Sequence, residues 1–158
     1  MLDPVYRTAY RCAYKMMRMY WSVRNPLTHG ALVAIWHDGR IVTVRNSYVP
    51  YTTLPGGYVG KGESFRDAAL RELREELGLR VNADDLKLAL DVTHDWEGKH
   101  DHVQIFELVV DKPPELHVDN REVIASELLT PEQALKLQLF PPLRTHIEQK
   151  LEKTSAQA

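Results

Sequence analysis

The stretch that decides the fold runs from Gly57 to Leu79 and reads GYVGKGESFRDAALRELREELGL. Its second half places Glu72, Glu75 and Glu76 within one turn of a predicted helix, since residues three and four apart share a helix face. Carboxylates at that spacing destabilise a helix by roughly 0.2–0.5 kcal/mol per pair. The pattern therefore indicates a nearby positive charge, either a bound cation or neighbouring arginines.

The helix itself is predicted between Phe65 and Leu77. Ser64 and Asp67 form an N-cap signal, and Gly78 suits the left-handed position that commonly follows a helix. At about 100° per residue, three leucines fall on one stripe and the three glutamates occupy an adjoining arc. Packing of the leucines leaves the acids at the edge of the core, facing a cleft. The predicted stripe consists of Leu70, Leu73 and Leu77.

A simpler explanation for this helix is a solvated face on which Arg71 and Arg74 neutralise the glutamates. The whole stretch, however, resembles the signature of the Nudix hydrolases, G-x5-E-x7-R-E-U-x-E-E-x-G-U, where U is a bulky aliphatic residue. Every fixed position of the signature is matched. The matching residues are Gly57, Glu63, Arg71, Glu72, Leu73, Glu75, Glu76, Gly78 and Leu79.

This resemblance implies a loop-helix-loop that binds divalent cations and hydrolyses a nucleoside diphosphate linked to another moiety. It implies that Glu72, Glu75 and Glu76 bind the metal, and that Glu63 and Arg71 join the loop to the helix as an ion pair. Carboxylates favour hard cations, so Mg²⁺ or Mn²⁺ is expected and zinc is not. The implied fold is an α/β/α sandwich with a mixed sheet, covering roughly residues 28–150.

Composition is that of an ordinary globular protein. The 158 residues suit one domain, with residues 1–24 as a helical extension of the 28–150 core. A net charge of −2 gives no bulk signal for nucleic acid. The single cysteine, Cys12, excludes an intrachain disulfide and fits a reducing compartment. Because neither a long apolar segment nor a signal-peptide core is found, a cytoplasmic location is expected.

The N-terminal residues 4–23 are predicted to form a basic amphipathic helix. Arg7, Arg11, Lys15 and Arg18 recur every three or four residues. Such a helix can lie on an anionic membrane surface or meet a partner, or it can pack on its own domain or on a second subunit as a homodimer. We favour packing on its own domain or on a second subunit over a membrane surface, and we expect the helix to be dispensable for chemistry. Its predicted buried residues are Val5, Ala9, Cys12, Ala13, Met16, Met17 and Tyr20.

Alternating or continuous apolar runs predict the strands. An Asp38-Gly39 turn signal joins the first two as a hairpin, and Thr130 caps a helix that is predicted to end at Phe140. A last helix follows, and residues 154–158 are expected to fray. The predicted strands are 30–36, 40–45, 86–93, 102–110 and 121–129.

Candidate substrate contacts lie before and after the motif. Gly56 and Gly57 allow the backbone to approach a phosphate-bearing ligand closely. Tyr48 and Tyr51 either stack on a base or cover the hairpin. The segment HDWEGKHDH, residues 94–102, is predicted to be a solvated hairpin tip, with a histidine metal site as the alternative. Along it, His102 shares a strand face with His100 and is a candidate substrate contact.

A further acid is implied by the same resemblance. Many Nudix enzymes supply a metal-binding or catalytic glutamate shortly before the strand that ends their sheet, and Glu122 stands there; otherwise it is an exposed strand residue. The implied mechanism is metal-assisted hydrolysis in which Glu75 or Glu122 orients or deprotonates water.

The substrate is less defined by the sequence. Residues 94–97 lack both the proline of ADP-ribose enzymes and the tyrosine of dinucleoside polyphosphate enzymes. A generic nucleoside diphosphate derivative is therefore expected, with nucleoside triphosphate pyrophosphohydrolysis as the alternative. Two alternatives from other functional classes are a catalytically silent nucleotide sensor and a membrane-surface protein built on the same fold.

Overall fold

The computed structural model describes residues 3–118 and 120–157. The helices are α1 (Asp3–Arg24), α2 (Phe65–Leu77), α3 (Pro131–Ala134) and α4 (Pro141–Gln157), with one 3-10 turn at Ala83–Asp85. The strands are β1 (Leu27–His37), β2 (Arg40–Asn46), β3 (Thr52–Thr53), β4 (Gly56–Tyr58), β5 (Lys87–Trp96), β6 (Lys99–Val109) and β7 (Val123–Leu129).

Strand β1 is the centre of the sheet. Its residues 31–37 are all buried, as expected of a continuous apolar run covered on both faces. It runs parallel to β6 and antiparallel to β2 and β4. The strand order is β3-β2-β1-β6-β5, and β7 pairs with β2. The predicted hairpin across Asp38-Gly39 and the predicted mixed sheet are both confirmed.

Helices cover both faces of this sheet. Alternate β1 residues such as Ala31 and Val33 pack against α2, whereas Leu32 and Ala34 lie in the cluster that contains α4. The predicted α/β/α sandwich is therefore confirmed, and α2 keeps its predicted limits at Phe65 and Leu77. No helix within residues 3–118 and 120–157 has the length and apolar character that a membrane crossing needs.

Helix α1 packs on its own chain, which is one of the two arrangements that the sequence favoured. Arg7 donates to the Asn120 carbonyl at 2.9 Å, and Arg11 donates to the Ser47 carbonyl at the same distance. The prediction of its buried face was wrong, because the residues chosen for that face are mostly exposed, Met16 among them. A second stripe of Tyr10, Tyr14 and Trp21 faces the domain instead, and large aromatic rings bury more apolar area than the aliphatic stripe.

The hairpin between β5 and β6 is tighter than predicted. Both strands extend beyond the predicted limits, and only Glu97 and Gly98 form the turn, with φ of 51° and 82°. The expectation of a solvated tip holds for Asp95 and His100, which are exposed, but was wrong for Lys99 and Asp101, which are buried and joined by a 2.8 Å ion pair. Mutual attraction, together with hydrogen bonds to Tyr58 and from Thr28, offsets part of the cost of burying the two charges.

Three boundaries near the C-terminus also differ from the predictions. Strand β7 begins at Val123, so that Glu122 precedes it. The capping box of Thr130 and Gln133 is present, but α3 ends at Ala134 because the following segment pairs with Thr52. Helix α4 continues to Gln157 through the residues expected to fray, and Ala158 lies outside the described residues.

Replacing Gly98 by alanine should destabilise the docking of α1. A Cβ atom at this position would lie 3.0 Å from the Ser22 Cα atom, and the residue has φ of +82°. Left-handed strain alone costs an alanine about 1–3 kcal/mol, and the contact with α1 adds to it. We expect a lower free energy of unfolding in urea and faster tryptic cleavage within α1.

Gly39→Ala provides the matched control. Gly39 occupies the same place in the first hairpin with φ of +71°, but a Cβ atom there meets nothing within 4 Å. This variant should lose stability through strain alone and keep α1 as protected as in the parent chain. Equal tryptic cleavage of α1 in the two variants would show that the hairpin turn does not hold the helix.

Candidate active site

The loop before α2 is fastened to the helix by Glu63 and Arg71. Arg71 donates to both carboxylate oxygens of Glu63, at 2.9 and 3.1 Å, and its second terminal nitrogen also donates to the Tyr58 carbonyl. The Gly60 amide donates to Glu63 at 2.7 Å. Hydrogen bonds from Arg71, followed by that from Gly60, lower the pKa of Glu63 to about 2. The carboxylate is therefore charged at all physiological pH values.

The two glycines of β4 let the acidic edge of α2 lie directly against the sheet. A Cβ atom on Gly57 would come within 2.4 Å of the Glu72 Oε1 atom. Gly56 has φ of +141°, and a Cβ atom there would lie 2.2 Å from the Ala31 carbonyl oxygen. The Gly56 amide donates to Glu76 at 2.8 Å. Both glycines are thus required by close contact, which places Glu72 and Glu76 beside β4.

The three glutamates of α2 differ in environment. Glu76 is buried, Glu72 is half-buried and Glu75 is exposed. Burial raises the pKa of Glu72, and the charges of Glu122 and Glu75 raise it further, whereas a 2.6 Å hydrogen bond from Arg71 opposes them. The prediction that the acids lie at the edge of the core holds for Glu72, while Glu76 is drawn into the interior by the Gly56 amide.

Glu122 is brought to the same place from the far end of the chain. A register shift after Arg45 in the β2–β7 pairing lets the Ser47 amide donate to the Glu122 carbonyl at 2.8 Å. The Tyr48 hydroxyl donates to the Glu122 carboxylate at 2.7 Å. Burial and then the charge of Glu122 raise the pKa of Tyr48, so its hydroxyl stays protonated and able to donate. Tyr48 therefore orients the Glu122 side chain.

A cavity of about 250 Å³ opens beside these acids. Gly56, Gly57 and Glu122 form part of its wall, and eight aromatic residues form much of the remainder. Helix α1 closes one side with three of the rings, which argues against the expectation that this helix is dispensable. The aromatic residues are Tyr10, Tyr14, Trp21, Tyr48, Tyr51, Tyr58, Trp96 and Phe140.

A polar edge interrupts the aromatic wall. Lys99 donates to Asp101 at 2.8 Å and to the Tyr58 hydroxyl at 3.0 Å, and its ammonium group lies 4.8 Å from the centroid of the Trp21 ring. Thr28 donates to the other Asp101 oxygen at 2.6 Å. The pair is held in place by these hydrogen bonds and borders the cavity, so it is suited to orient a bound planar group.

His102 does not line this cavity. Side chains alternate along β6, so Lys99, Asp101 and Val103 face the cavity while His102 points to the other face of the sheet. There it lies 2.7 Å from Asp91 and packs edge-on against Phe65. This position argues against the predicted substrate contact, whereas Tyr48, Tyr51, Gly56 and Gly57 do line the cavity.

The alternative of a histidine metal site gains no support. Within residues 3–118 and 120–157, no three His, Cys, Asp or Glu side chains form a ready-made metal-binding group, and this holds for the glutamates of α2 as well as for the histidines of the hairpin. His94 is partly buried beside Trp96 and Phe140, and this burial lowers the pKa of its imidazole. His100 instead hydrogen-bonds to Asp95 across the hairpin.

Sequence reasoning missed part of the cavity wall. Lys99 and Asp101 were assigned to a solvated tip, although the alternation Lys99, Asp101, Val103 could have placed them on one strand face. The rings of α1 were missed because the aliphatic stripe of that helix has the same period.

Comparison with known proteins defines the family. The NUDIX domain model matches residues 26–150. A putative 8-oxo-dGTP diphosphatase of Bacillus subtilis is 44% identical over 52 residues, which are 32% of this chain and 35% of that protein. The NAD-capped RNA hydrolase NudC of Mycobacterium tuberculosis is 38% identical over 79 residues, covering 42% of this chain and 25% of that protein.

Among solved structures, the MutT NUDIX hydrolase of Burkholderia pseudomallei superposes with a TM-score of 0.69 at 26% identity, covering 78% of this chain and 97% of that one. The aligned stretches span well under two thirds of both curated relatives. The family model, in contrast, matches most of this chain and includes α2, β4 and Glu122. The chain therefore belongs to the Nudix hydrolase family.

Proposed function

We propose that the protein hydrolyses a diphosphate linkage in a nucleoside diphosphate derivative with the help of a divalent cation. The observation that carries the proposal is the continuity between the aromatic cavity and the acidic edge of α2. Gly56 and Gly57 line the cavity and at the same time touch Glu76 and Glu72. A ligand whose base occupies the cavity therefore extends its phosphates along β4 toward the carboxylates.

The cavity is suited to the base rather than to a whole nucleotide. Its volume of about 250 Å³ falls below the roughly 300–1,000 Å³ of pockets that enclose a drug-sized ligand. Stacking on aromatic rings is worth about 1–3 kcal/mol per base and depends little on base identity. Hydrogen bonds from the Lys99–Asp101 edge would add selectivity.

The acids fit a hard divalent cation in their donor chemistry. Glu72 is half-buried, and its charged form is disfavoured by burial and by the neighbouring charges of Glu122 and Glu75. A cation would offset this repulsion, and carboxylates are donors that Mg²⁺ and Mn²⁺ prefer. We assign Glu72, Glu75 and Glu76 to hold it. Bound there, it would polarise the phosphoryl oxygens and stabilise the departing phosphate.

Chain residues supply the remaining steps. Glu63 and Arg71 act as positioning residues, because together they fix the loop and the side chain of Glu72. Glu122 and Glu75 are the candidates for the carboxylate that orients or deprotonates water. Glu122 borders the cavity and is held by Tyr48, whereas Glu75 is exposed beside Arg74.

Nucleoside triphosphate pyrophosphohydrolysis is the second candidate. One relative's name specifies 8-oxo-dGTP, a triphosphate, and another's an NAD cap, in which two nucleosides share a diphosphate. Both contain a base followed by linked phosphates, which is the order in which the cavity and the acids occur here.

A substrate panel in ¹⁸O-labelled water tests the function. Nucleoside diphosphate sugars, dinucleotides and nucleoside triphosphates should be cleaved between phosphorus atoms with Mg²⁺ or Mn²⁺, and mass spectrometry should find the label on a phosphate from that linkage. Chelation should stop turnover. Release of labelled inorganic phosphate from nucleoside monophosphates, with every diphosphate-linked compound untouched, would disprove the proposal.

Glu76→Gln should abolish hydrolysis while the protein stays folded. The amide oxygen of glutamine can still accept from Gly56, but the charge is lost. A loss of several kcal/mol of charge stabilisation corresponds to a fall in kcat/KM of about 100-fold or more. Glu152→Gln, at an exposed position on α4, is the control and should keep full activity. Undiminished turnover in purified Glu76→Gln contradicts the metal assignment.

Tyr10→Ala should raise KM more than it lowers kcat, because Tyr10 lines the cavity and stacks on Tyr48 with ring centroids 5.9 Å apart. The loss of one stacking ring predicts an increase of about 5- to 150-fold. Tyr20→Ala removes an exposed tyrosine from the outer side of the same helix and should leave KM unchanged. Equal KM values in both variants would show that Tyr10 of α1 does not contribute to substrate binding.

A further inference from the structure

Helix α1 also carries an uncharged stripe on the side that faces away from its own domain. Counting from Val5, its residues follow at alternating steps of four and three, which is the spacing of the seam of a coiled coil. Each of them is exposed, although none carries a charge. The stripe, called here the outer stripe, consists of Val5, Ala9, Cys12, Met16, Met19 and Val23.

We propose that the outer stripe joins two copies of this chain through antiparallel packing of their α1 helices. A two-fold contact requires a surface that is complementary to itself. The outer stripe meets this requirement because its spacing is symmetric about residue 14, so that an antiparallel copy brings every position opposite another member. The facing pairs are Val5 with Val23, Ala9 with Met19, and Cys12 with Met16.

Side-chain sizes agree with this pairing. Each methionine faces a small residue, Ala9 or Cys12, and the two valines face each other. Large and small side chains that alternate across a helix contact fill the space between the helices evenly. A parallel pair would instead set Met16 against Met16 and Ala9 against Ala9, leaving one layer crowded and the next one empty. The sizes therefore favour the antiparallel arrangement.

The available area suits a weak dimer. Val5, Met16, Met19 and Val23 are 65%, 68%, 69% and 79% exposed, and Tyr6 and Tyr20 flank them at 41% and 56%. With typical side-chain areas this amounts to roughly 300–600 Å² per copy, or about 600–1,200 Å² in all. Stable interfaces bury about 1,200–2,000 Å². A dimer that forms reversibly at roughly micromolar concentration is expected.

The charges near the outer stripe favour a second copy of this chain over an anionic membrane as the partner of that surface. Arg7 and Arg11 donate to backbone carbonyls of their own domain, and Arg18 lies 3.6 Å from Glu97. Those arginines are directed away from the outer stripe, which leaves Lys15 and Arg24 as the cations beside it. Two cations attract anionic lipid by only about 1 kcal/mol each. The same scarcity of charge limits repulsion between two copies of the helix.

Sedimentation equilibrium of the full chain tests the dimer. The parent protein should pass from monomer to dimer between about 1 and 200 μM, as expected for so small an interface. Met16→Glu places a charge in the seam and should remain monomeric, whereas the control Ala156→Glu, at an exposed position on α4, should dimerise like the parent. A parent chain that stays monomeric at the highest concentration, or a Met16→Glu variant that dimerises equally, overturns the proposal.

Disulfide trapping tests the orientation. In the antiparallel dimer, Cys12 faces position 16 of the partner, so Met16→Cys should give a covalent dimer with oxidised glutathione, which accepts the two electrons of each new disulfide. The parent, with Cys12 alone, should not cross-link. A Cys12–Cys12 dimer of the parent would establish parallel packing, and co-sedimentation of a monomeric parent with phosphatidylserine vesicles would assign the outer stripe to a membrane.

Discussion

The structure depends on the close approach of α2 to β4, which two glycines permit. A side chain at Gly57 would occupy the place of the Glu72 carboxylate, and one at Gly56 would collide with the backbone of β1. Because neither position has a side chain, the Glu76 carboxylate can accept a hydrogen bond from the Gly56 amide, and it is buried with that hydrogen bond in place. The acids are thereby fixed to the sheet rather than left on a solvated helix face, where mutual repulsion would spread them.

This contact determines where the other parts of the site must lie. Strand β4 pairs with β1 between Gly30 and Leu32, and β1 pairs in parallel with β6, so the cavity-facing residues of β6 lie across β1 from the acids. On the other side, the segment that follows β2 places Tyr48 within hydrogen-bonding distance of Glu122. The aromatic cavity and the acidic edge therefore share one wall. This is the physical basis for proposing that one ligand spans both.

Features specified by neighbouring residues were predictable from sequence. Limits of α2 follow from the Ser64 cap and the left-handed Gly78, which are local signals. The first hairpin follows likewise from Asp38-Gly39. The resemblance of the motif supplied the fold and the implied roles of the glutamates, and it suggested Glu122 as a further acid from its place before the last strand. Its hydrogen bond with Tyr48 joins residues 74 positions apart, and no local pattern encodes it.

Errors arose where two interpretations had the same local signature. Both stripes of α1 repeat with a helical period, and only the partner surface decides which one is buried. Lys99 and Asp101 are residue types that usually face solvent, but here they are buried as an ion pair. The segment after Ala134 has residues that favour a helix, yet pairing of Thr52 with Leu139 takes precedence. In each case a distant contact outweighs the local preference.

Helix α1 links the two proposals physically. The family model begins at residue 26, so α1 lies outside the part of the chain that the family shares. Its residues Tyr10, Tyr14 and Trp21 nevertheless form part of the cavity wall, whereas the outer stripe faces away from the domain. Helix α1 therefore has two proposed contacts on opposite sides, with the ligand in the cavity and with the α1 helix of a second copy.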